Sequence, residues 1–377
     1  MFIGVPREIH RHEHRVGLSP FAAAWLAKRG HSVLVESKAG NSSWFSDQDY
    51  QKAGAQIVYD TDEVYQRADL VCRVNGVTPE EIQLLRKGSV ICAFHHLAVS
   101  SKDYVQKLME LETTIIGYEI VRDSLGEFPI LDPMSEIGGQ FAVQLAASLL
   151  QNDRGGRGIL LGNAPGVPPP TVLIIGGGTA GFAAARQAHV SGAHVIVLDS
   201  NPRRLREIHH EFQGQVVTAL SGYERLEQYT RIADLIIGAV LVPGAKTPYV
   251  VTESMVSEMK PGSVIIDLSI DQGGCVETSR PTSLDDPTYT VNGVVHYCVS
   301  NMTANIARTA SRAIAGAALP MLGEIASLGL DEALRVDLGL AAGVYMYKGK
   351  LTHRQVAEIY KLPMTPIMQM LDEDDAR

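Results

Sequence analysis

Short runs of β-branched and aliphatic residues alternate with helix-patterned stretches along most of this chain, the rhythm of strand–helix–strand units and parallel sheets. Runs at 2–5, 32–36, 70–74, 89–94 and 114–118 predict strands in the first third, with helices at 20–28 and 104–111 between them. Runs at 172–175, 194–198, 235–240 and 263–268 predict a second set. The two sets echo each other. Ala68-Asp69-Leu70-Val71 and Gly88-Ser89-Val90-Ile91 recur as Ala233-Asp234-Leu235-Ile236 and Gly262-Ser263-Val264-Ile265. Any two doubly wound sheets can share such tetrapeptides, and on either account both regions read as open α/β sheets.

Between the sets, Phe141, Leu145 and Leu149 recur every four residues as one apolar stripe, predicting a helix over 135–151 that Ser135 can cap. A glycine-rich loop over 152–170 follows and ends in Pro168-Pro169-Pro170, which stiffens the approach to the next strand. After Asn301 the pattern turns helical and rich in small residues over 304–329, with Pro320 interrupting it. The acidic end, 371–377, reads as frayed.

A length of 377 residues suits two or three domains, and 45% hydrophobic with 20% charged residues is a globular balance. A net charge of -9 argues against a nucleic-acid binder that relies on neutralising phosphates. The longest mostly apolar run, 235–245, falls well short of the ~20 residues a spanning helix needs, so no membrane segment is expected. The first residues carry charges where an export signal would be apolar. Cys72, Cys92, Cys275 and Cys298 are widely spaced and read as reduced thiols of a cytoplasmic protein.

The strongest local signal is Thr171-Val172-Leu173-Ile174-Ile175-Gly176-Gly177-Gly178-Thr179-Ala180-Gly181, a GxGxxG turn between an apolar strand and a helix. Its first glycine allows the tight turn, the second lets backbone approach a pyrophosphate, and the third lets helix and strand pack closely. The first residues of the helix, Thr179 and Ala180, offer N–H groups to the phosphate. A second strand ends in Asp199, 23 residues after Gly176, where a carboxylate binds the ribose hydroxyls of NAD and repels the extra phosphate of NADP. Arg203 and Arg204 are a counter-signal, read as a solvated helix start near the adenosine. The cofactor expected is NAD.

In open α/β sheets, ligands bind beyond the carboxyl ends of the strands. The polar residues there are Arg15, Asn75, the pair His95-His96, and Ser269-Ile270-Asp271. The trio His10, His12 and His14 lacks a cysteine or carboxylate partner at ligand spacing and reads as a solvated turn. Residue types alone lead to an NAD-dependent oxidoreductase with His96 and Asp271 as candidate acid/base groups.

In their order, these residues resemble the alanine dehydrogenase and pyridine nucleotide transhydrogenase family, on its dehydrogenase side. The resemblance rests on Gly4-Val5-Pro6-Arg7-Glu8, Arg15-Val16-Gly17-Leu18-Ser19-Pro20, His96-Leu97-Ala98, Pro133-Met134-Ser135-Glu136, the segments 155–162 and 165–169, 238–246, Ile270-Asp271-Gln272-Gly273-Gly274-Cys275 and 297–302. It implies two doubly wound Rossmann-like domains with a cleft between them. The substrate domain would be discontinuous, 1–134 and 304–377, and the NAD-binding Rossmann domain would be 135–303. It further implies reversible oxidative deamination of L-alanine to pyruvate and ammonium, within alanine catabolism, by a homo-oligomer, usually a hexamer. Arg15 would bind the substrate carboxylate, while His96 and Asp271 would be catalytic. Ser135, Asp199, Arg204, Ser221, Val240, Leu241, Leu268, Ser269, Ile270, Arg280, Val299, Ser300, Asn301 and Met302 would line the cofactor beside the glycine turn.

One position departs from the family. Its lysine, which polarises the substrate oxygen, is replaced by Asn75 in Arg73-Val74-Asn75-Gly76-Val77. Arg73 shares a strand face with Asn75 and is a candidate substitute donor. The departure leaves open an oxidoreductase of this architecture acting on another amino acid, oxo acid or imine, or an NAD-binding protein with attenuated catalysis. The family also links a carboxylate and a histidine on the late helix to divalent metal. Glu324 matches the carboxylate but Leu328 stands at the histidine position, so no metal is expected.

Overall fold

The computed structural model describes residues 1–242 and 245–375, leaving Pro243, Gly244 and 376–377 outside. The chain folds as two compact units. The first is built from Met1–Met134 and the chain from Ala304 onward, the second from Ser135–Val242 and Lys246–Thr303. In chain order the first unit contributes β1 (Phe2–Val5), β2 (Ser32–Glu36), β3 (Gln56–Val58), β4 (Leu70–Asn75), β5 (Val90–Phe94) and β6 (Thr114–Gly117). The second contributes β7 (Thr171–Ile175), β8 (His194–Asp199), β9 (Val217–Leu220), β10 (Leu235–Gly238), β11 (Val264–Asp267), β12 (Thr288–Val291) and β13 (Val294–Tyr297). The chain then returns to the first unit for β14 (Val344–Tyr347) and β15 (Lys350–Leu351).

The first sheet has the order β3-β2-β1-β4-β5-β6-β14-β15, and the second β9-β8-β7-β10-β11-β13-β12. Pairing is parallel except at the β6–β14–β15 edge and between β12 and β13. Both antiparallel hairpins turn on two residues with positive φ, Asn292-Gly293 (52° and 78°) and Lys348-Gly349 (46° and 80°). In each sheet the winding reverses beside the first strand, between β1 and β4 and between β7 and β10. That reversal opens a crevice at the strands' carboxyl ends. These are two Rossmann-like α/β sheets.

The sequence echo has a structural meaning. Leu70 pairs with Val90 as Leu235 pairs with Val264, at the start of equivalent parallel ladders. Asp69 Oδ2 accepts the N–H of Phe2 at 2.8 Å, and Asp234 Oδ2 accepts that of Thr171 at 2.9 Å. Each aspartate thus ties the strand it precedes to the first strand of its sheet.

The strands of the second unit are apolar throughout because both faces are covered. Val172, Ile174, Val195, Val197, Leu235 and Ile237 bury on one side, and Leu173, Ile175, Ile196, Leu198 and Ile236 on the other. The first unit has its own core around Val71, Ile91, Ile115, Leu97 and Met346.

Three expectations are corrected. The helix expected from Ser135 runs over Leu131–Leu149, so Ser135 lies inside it rather than at its cap. Pro133 fits its first turn, where N–H groups have no intrahelical partner. Pro320 does not interrupt the late helix, which runs unbroken over Ala307–Leu328. The proline faces solvent, and the residue four before it is the exposed Gly316, whose unserved carbonyl water can reach. The acidic end is helical over Ile367–Asp375 rather than frayed, and 376–377 lie outside the described residues.

Candidate active site

Beyond β1 the chain loops back before the helix Pro20–Ala27, and Gly17 lets it pass close to β4. A Cβ at Gly17 would stand 2.5 Å from the Cys72 carbonyl oxygen and 2.8 Å from the Arg73 Cα. This close approach sets Arg15 beside the end of β4. Buried Arg15 donates from Nε and Nη2 to the two oxygens of Glu13, at 2.8 and 2.6 Å. The same carboxylate accepts the Asn75 Nδ2–H at 2.7 Å. Burial raises the Glu13 carboxyl, but the Arg15 charge and the hydrogen bonds from Arg15 and Asn75 outweigh it and hold it below the ordinary glutamate value. Arg15 and Asn75, found separately in the sequence, therefore meet on Glu13. Sequence reasoning missed Glu13, whose signal was a carboxylate two residues ahead of a candidate anion-binding arginine.

Arg73 does not join them, and its expected role as a substitute donor is corrected. Its side chain has no exposed surface and pairs with Glu8 at 3.1 Å and with Glu81, with the Tyr65 hydroxyl beside it. A guanidinium is buried only with such partners, and turning it toward Asn75 would strand two buried carboxylates.

Beyond β5, His96 takes left-handed φ and ψ of 47° and 42° and opens the short turn Leu97–Val99. Buried Glu119 secures this conformation by accepting the His96 N–H at 2.6 Å and the His95 N–H at 3.1 Å, and Tyr345 donates its hydroxyl to the same carboxylate at 3.0 Å. The His96 ring is half-buried and stacks on Phe94 with an interplanar angle of 16°. Its Nδ1 has no hydrogen-bond partner among the described residues.

His95 is of a different kind. Burial pushes its imidazole down to about 4, so it stays neutral in the folded protein. Unfolded, it protonates near 6.5, so between pH 6.5 and 4 the unfolded chain binds more protons and stability falls as pH drops. The full difference is about 3 kcal/mol. His95→Gln should therefore flatten the fall of Tm between pH 6.5 and 4; melts with the wild-type slope would count against a neutral buried His95.

In the second unit, the glycine turn after β7 has the shape a pyrophosphate needs. A Cβ at Gly176 would stand 2.3 Å from the Ala239 carbonyl oxygen, and one at Gly181 1.8 Å from that of Gly176. Gly178 begins the helix Thr179–Val190 with no side-chain cap, so Thr179 and Ala180 open its first turn. At the end of β8, buried Asp199 accepts the N–H of Gly177 at 2.6 Å and that of Asn201 at 2.7 Å. Arg204 Nη1 lies 3.7 Å from the Asp199 Oδ2, while Arg203 pairs outward with Glu207. The Ser221 N–H reaches the Asp199 carbonyl at 2.9 Å. These residues fit a dinucleotide with an acidic group at the ribose end.

The turn beyond β11 carries Asp271, half-buried, whose Oδ1 accepts the N–H of Asn301 at 3.0 Å. Asn301 has a left-handed φ of 53°. Ser269 donates to the Val240 carbonyl at 2.7 Å, and the Leu268 N–H to that of Gly238 at 2.8 Å, tying this turn to β10. Ile270 is buried, Leu241 and Ser300 are exposed, and Val299 and Met302 pack into the apolar core. Arg280 lies 4.1 Å over the Tyr289 ring. Ser135 is half-buried in its helix. Among the described residues no three His, Cys, Asp or Glu side chains converge, and His10 Nε2 faces the Gly76 carbonyl at 3.0 Å.

The family model described as alanine dehydrogenase/PNT, N-terminal domain, matches residues 4–138, and that described as alanine dehydrogenase/PNT, C-terminal domain, matches 142–354. An alanine dehydrogenase of Mycolicibacterium smegmatis is 43% identical over 371 residues, 98% of this chain and 100% of the relative. One from Halomonas elongata is 45% identical over 362 residues, 96% of this chain and 97% of the relative. A solved L-alanine dehydrogenase superposes with a TM-score of 0.89 at 42% identity, covering 96% of this chain and 99% of that one.

Proposed function

The chain belongs to the alanine dehydrogenase/PNT family, and on that premise we propose that it is an NAD-dependent alanine dehydrogenase. It interconverts L-alanine and water with pyruvate and ammonium, and the bound nicotinamide supplies the two-electron acceptor or donor. The observation that carries the reading is the meeting of Arg15 and Asn75 on one buried carboxylate at the β1–β4 crevice, a polar site matched to a small carboxylic acid. Held by Glu13, the Arg15 guanidinium is ordered before substrate arrives, so charge-assisted bonds to the substrate carboxylate cost little further ordering and set which face of Cα reacts. His96 moves protons between water and nitrogen as the carbinolamine and imine interconvert, a task suited to an imidazole, which can both give and take a proton. Asp271 orients the amine and balances charge as the iminium forms.

One assay tests this: oxidation of NADH with pyruvate and ammonium, then with a panel of oxo acids. Turnover with pyruvate supports the reading. Asn75 favours a second reading, since a neutral amide engaged with Glu13 polarises a substrate oxygen less than the family's lysine would. Turnover only with another oxo acid would establish that alternative, and NADH binding without any turnover would leave a nucleotide-binding protein.

The choice of NAD over NADP rests on Asp199. Asp199→Asn removes the charge facing a 2′-phosphate and releases Arg204 toward it; the amide also sets its NH2 against the Gly177 or Asn201 N–H, which lowers activity with both cofactors alike, so the preference for NAD should narrow by about tenfold or more, roughly 1.4 kcal/mol for one lost repulsion. Comparing kcat/KM for the two cofactors checks it, and an unchanged ratio would take Asp199 out of cofactor choice. No single helix among the described residues is long and apolar enough to cross a membrane. We read the enzyme as a cytoplasmic homo-oligomer, of hexamer size, working in alanine catabolism; sedimentation as a monomer would exclude the assembly.

A further inference from the structure

Asp267, the last residue of β11, is 2% exposed, and its carboxylate gathers donors from both ends of the turn that carries Asp271. Oδ1 accepts the Ser269 N–H at 3.0 Å, and Oδ2 accepts the N–H groups of Cys275 at 2.9 Å and Val276 at 3.2 Å. The Cys275 thiol adds a weaker contact to Oδ1 at 3.4 Å. The space around this carboxylate is kept clear by glycine. A Cβ at Gly274 would stand 3.0 Å from Oδ2, and one at Gly238 3.2 Å from Oδ1. The stretch from Ser269 to Val276 is thereby closed on one anion, with Asp271 near its tip and the Asn301 N–H fixing the Asp271 Oδ1.

We propose that Asp267 is a positioning residue of the reaction: by closing this turn it holds the Asp271 carboxylate where the reacting amine needs it. The inference rests on the reading of Asp271 as catalytic. The matching amide cannot replace it. An amide at 267 must present its NH2 to at least one backbone N–H, whichever way it turns, because both carboxylate oxygens already accept from backbone. One end of the turn is then released and Asp271 moves with it. The glycine turn and Asp199, read above as holding the pyrophosphate and the ribose, sit on other strands and keep their geometry.

The test compares Asp267→Asn, Asp271→Asn and the double variant by kcat, by KM for pyruvate and ammonium, and by NADH affinity from fluorescence titration, with Tm recorded for each. Asp267→Asn should lower kcat by about 10- to 100-fold, the scale of a misplaced reacting group, with NADH affinity within about threefold. The double variant should be no slower than Asp271→Asn alone. Wild-type kcat in folded Asp267→Asn, or losses that multiply in the double variant, would overturn the proposal while leaving Asp271 in place. Full activity in Asp271→Asn would instead remove the catalytic reading of Asp271, and this inference with it. Should Asp267→Asn fail to fold, Asp267→Glu carries the test, since it keeps the charge but shifts the carboxylate by one methylene from the N–H groups of Ser269, Cys275 and Val276: a fall in kcat with unchanged NADH affinity supports the proposal, and an unchanged kcat overturns it.

Discussion

His96→Ala should lower turnover by about 10²- to 10⁴-fold, the range lost with a general acid–base group, while NADH affinity stays within about threefold. The structure gives a reason to expect the upper part of that range. A non-glycine residue held at φ 47° and ψ 42° is strained, and here the strain is offset by a buried carboxylate that takes two consecutive N–H groups. Tyr345 holds that carboxylate from the far edge of the sheet. The imidazole is thus set by the backbone rather than by its own hydrogen bonds, and alanine at 96 would leave the loop in place while removing only the proton carrier. Added imidazole should restore part of the rate of the variant. Activity retained without rescue would remove His96 from the mechanism.

What could be read in the sequence follows from how local each signal is. The inner strands were legible because a strand buried on both faces must be apolar throughout, and the glycine turn because its sterics admit no side chain. The edge strands β3 and β9 were missed: β3 has only Gln56–Val58, too short to show a period, and β9 is partly exposed along its length. The start of the helix was placed too late because Ser135 is a good capping residue, although the helix begins at Leu131 with Pro133 in its first turn. Candidate site residues were found where chemistry and strand ends coincide, as at Arg15, Asn75, His96 and Asp271. Their supporting carboxylates were not. Glu13 and Glu119 act by accepting from partners that sequence separation hides, since Asn75 stands 62 positions from Glu13 and His96 stands 23 from Glu119, while Asp267 accepts from nearby backbone N–H groups that no residue type marks. Arg73 was misjudged for the same reason, because its partner Glu8 lies 65 residues away.

Arg15→Gln should raise KM for pyruvate by about 10²- to 10³-fold, the loss of two hydrogen bonds to a charged group at roughly 1.5–3 kcal/mol each less what the amide recovers. It should also destabilise the fold, because Glu13 would be left as a buried carboxylate without its cation, held only by the Asn75 amide and the backbone N–H of residue 15, a loss of about 3–5 kcal/mol. The two effects separate by pH and by a second substitution. In the wild type the Glu13 carboxyl lies below its ordinary value, so its contribution to stability is present above about pH 4.5 and lost as pH falls through the folded value. Without Arg15, burial dominates and raises that carboxyl, so the variant should lose stability as pH rises instead. Glu13→Gln added to Arg15→Gln removes the stranded charge and should recover most of the lost Tm. It restores no cation to the site, so KM for pyruvate should stay high. Recovery of KM along with Tm would mean that Arg15 matters only as the partner of Glu13, and the carboxylate of the substrate would then have to be bound elsewhere.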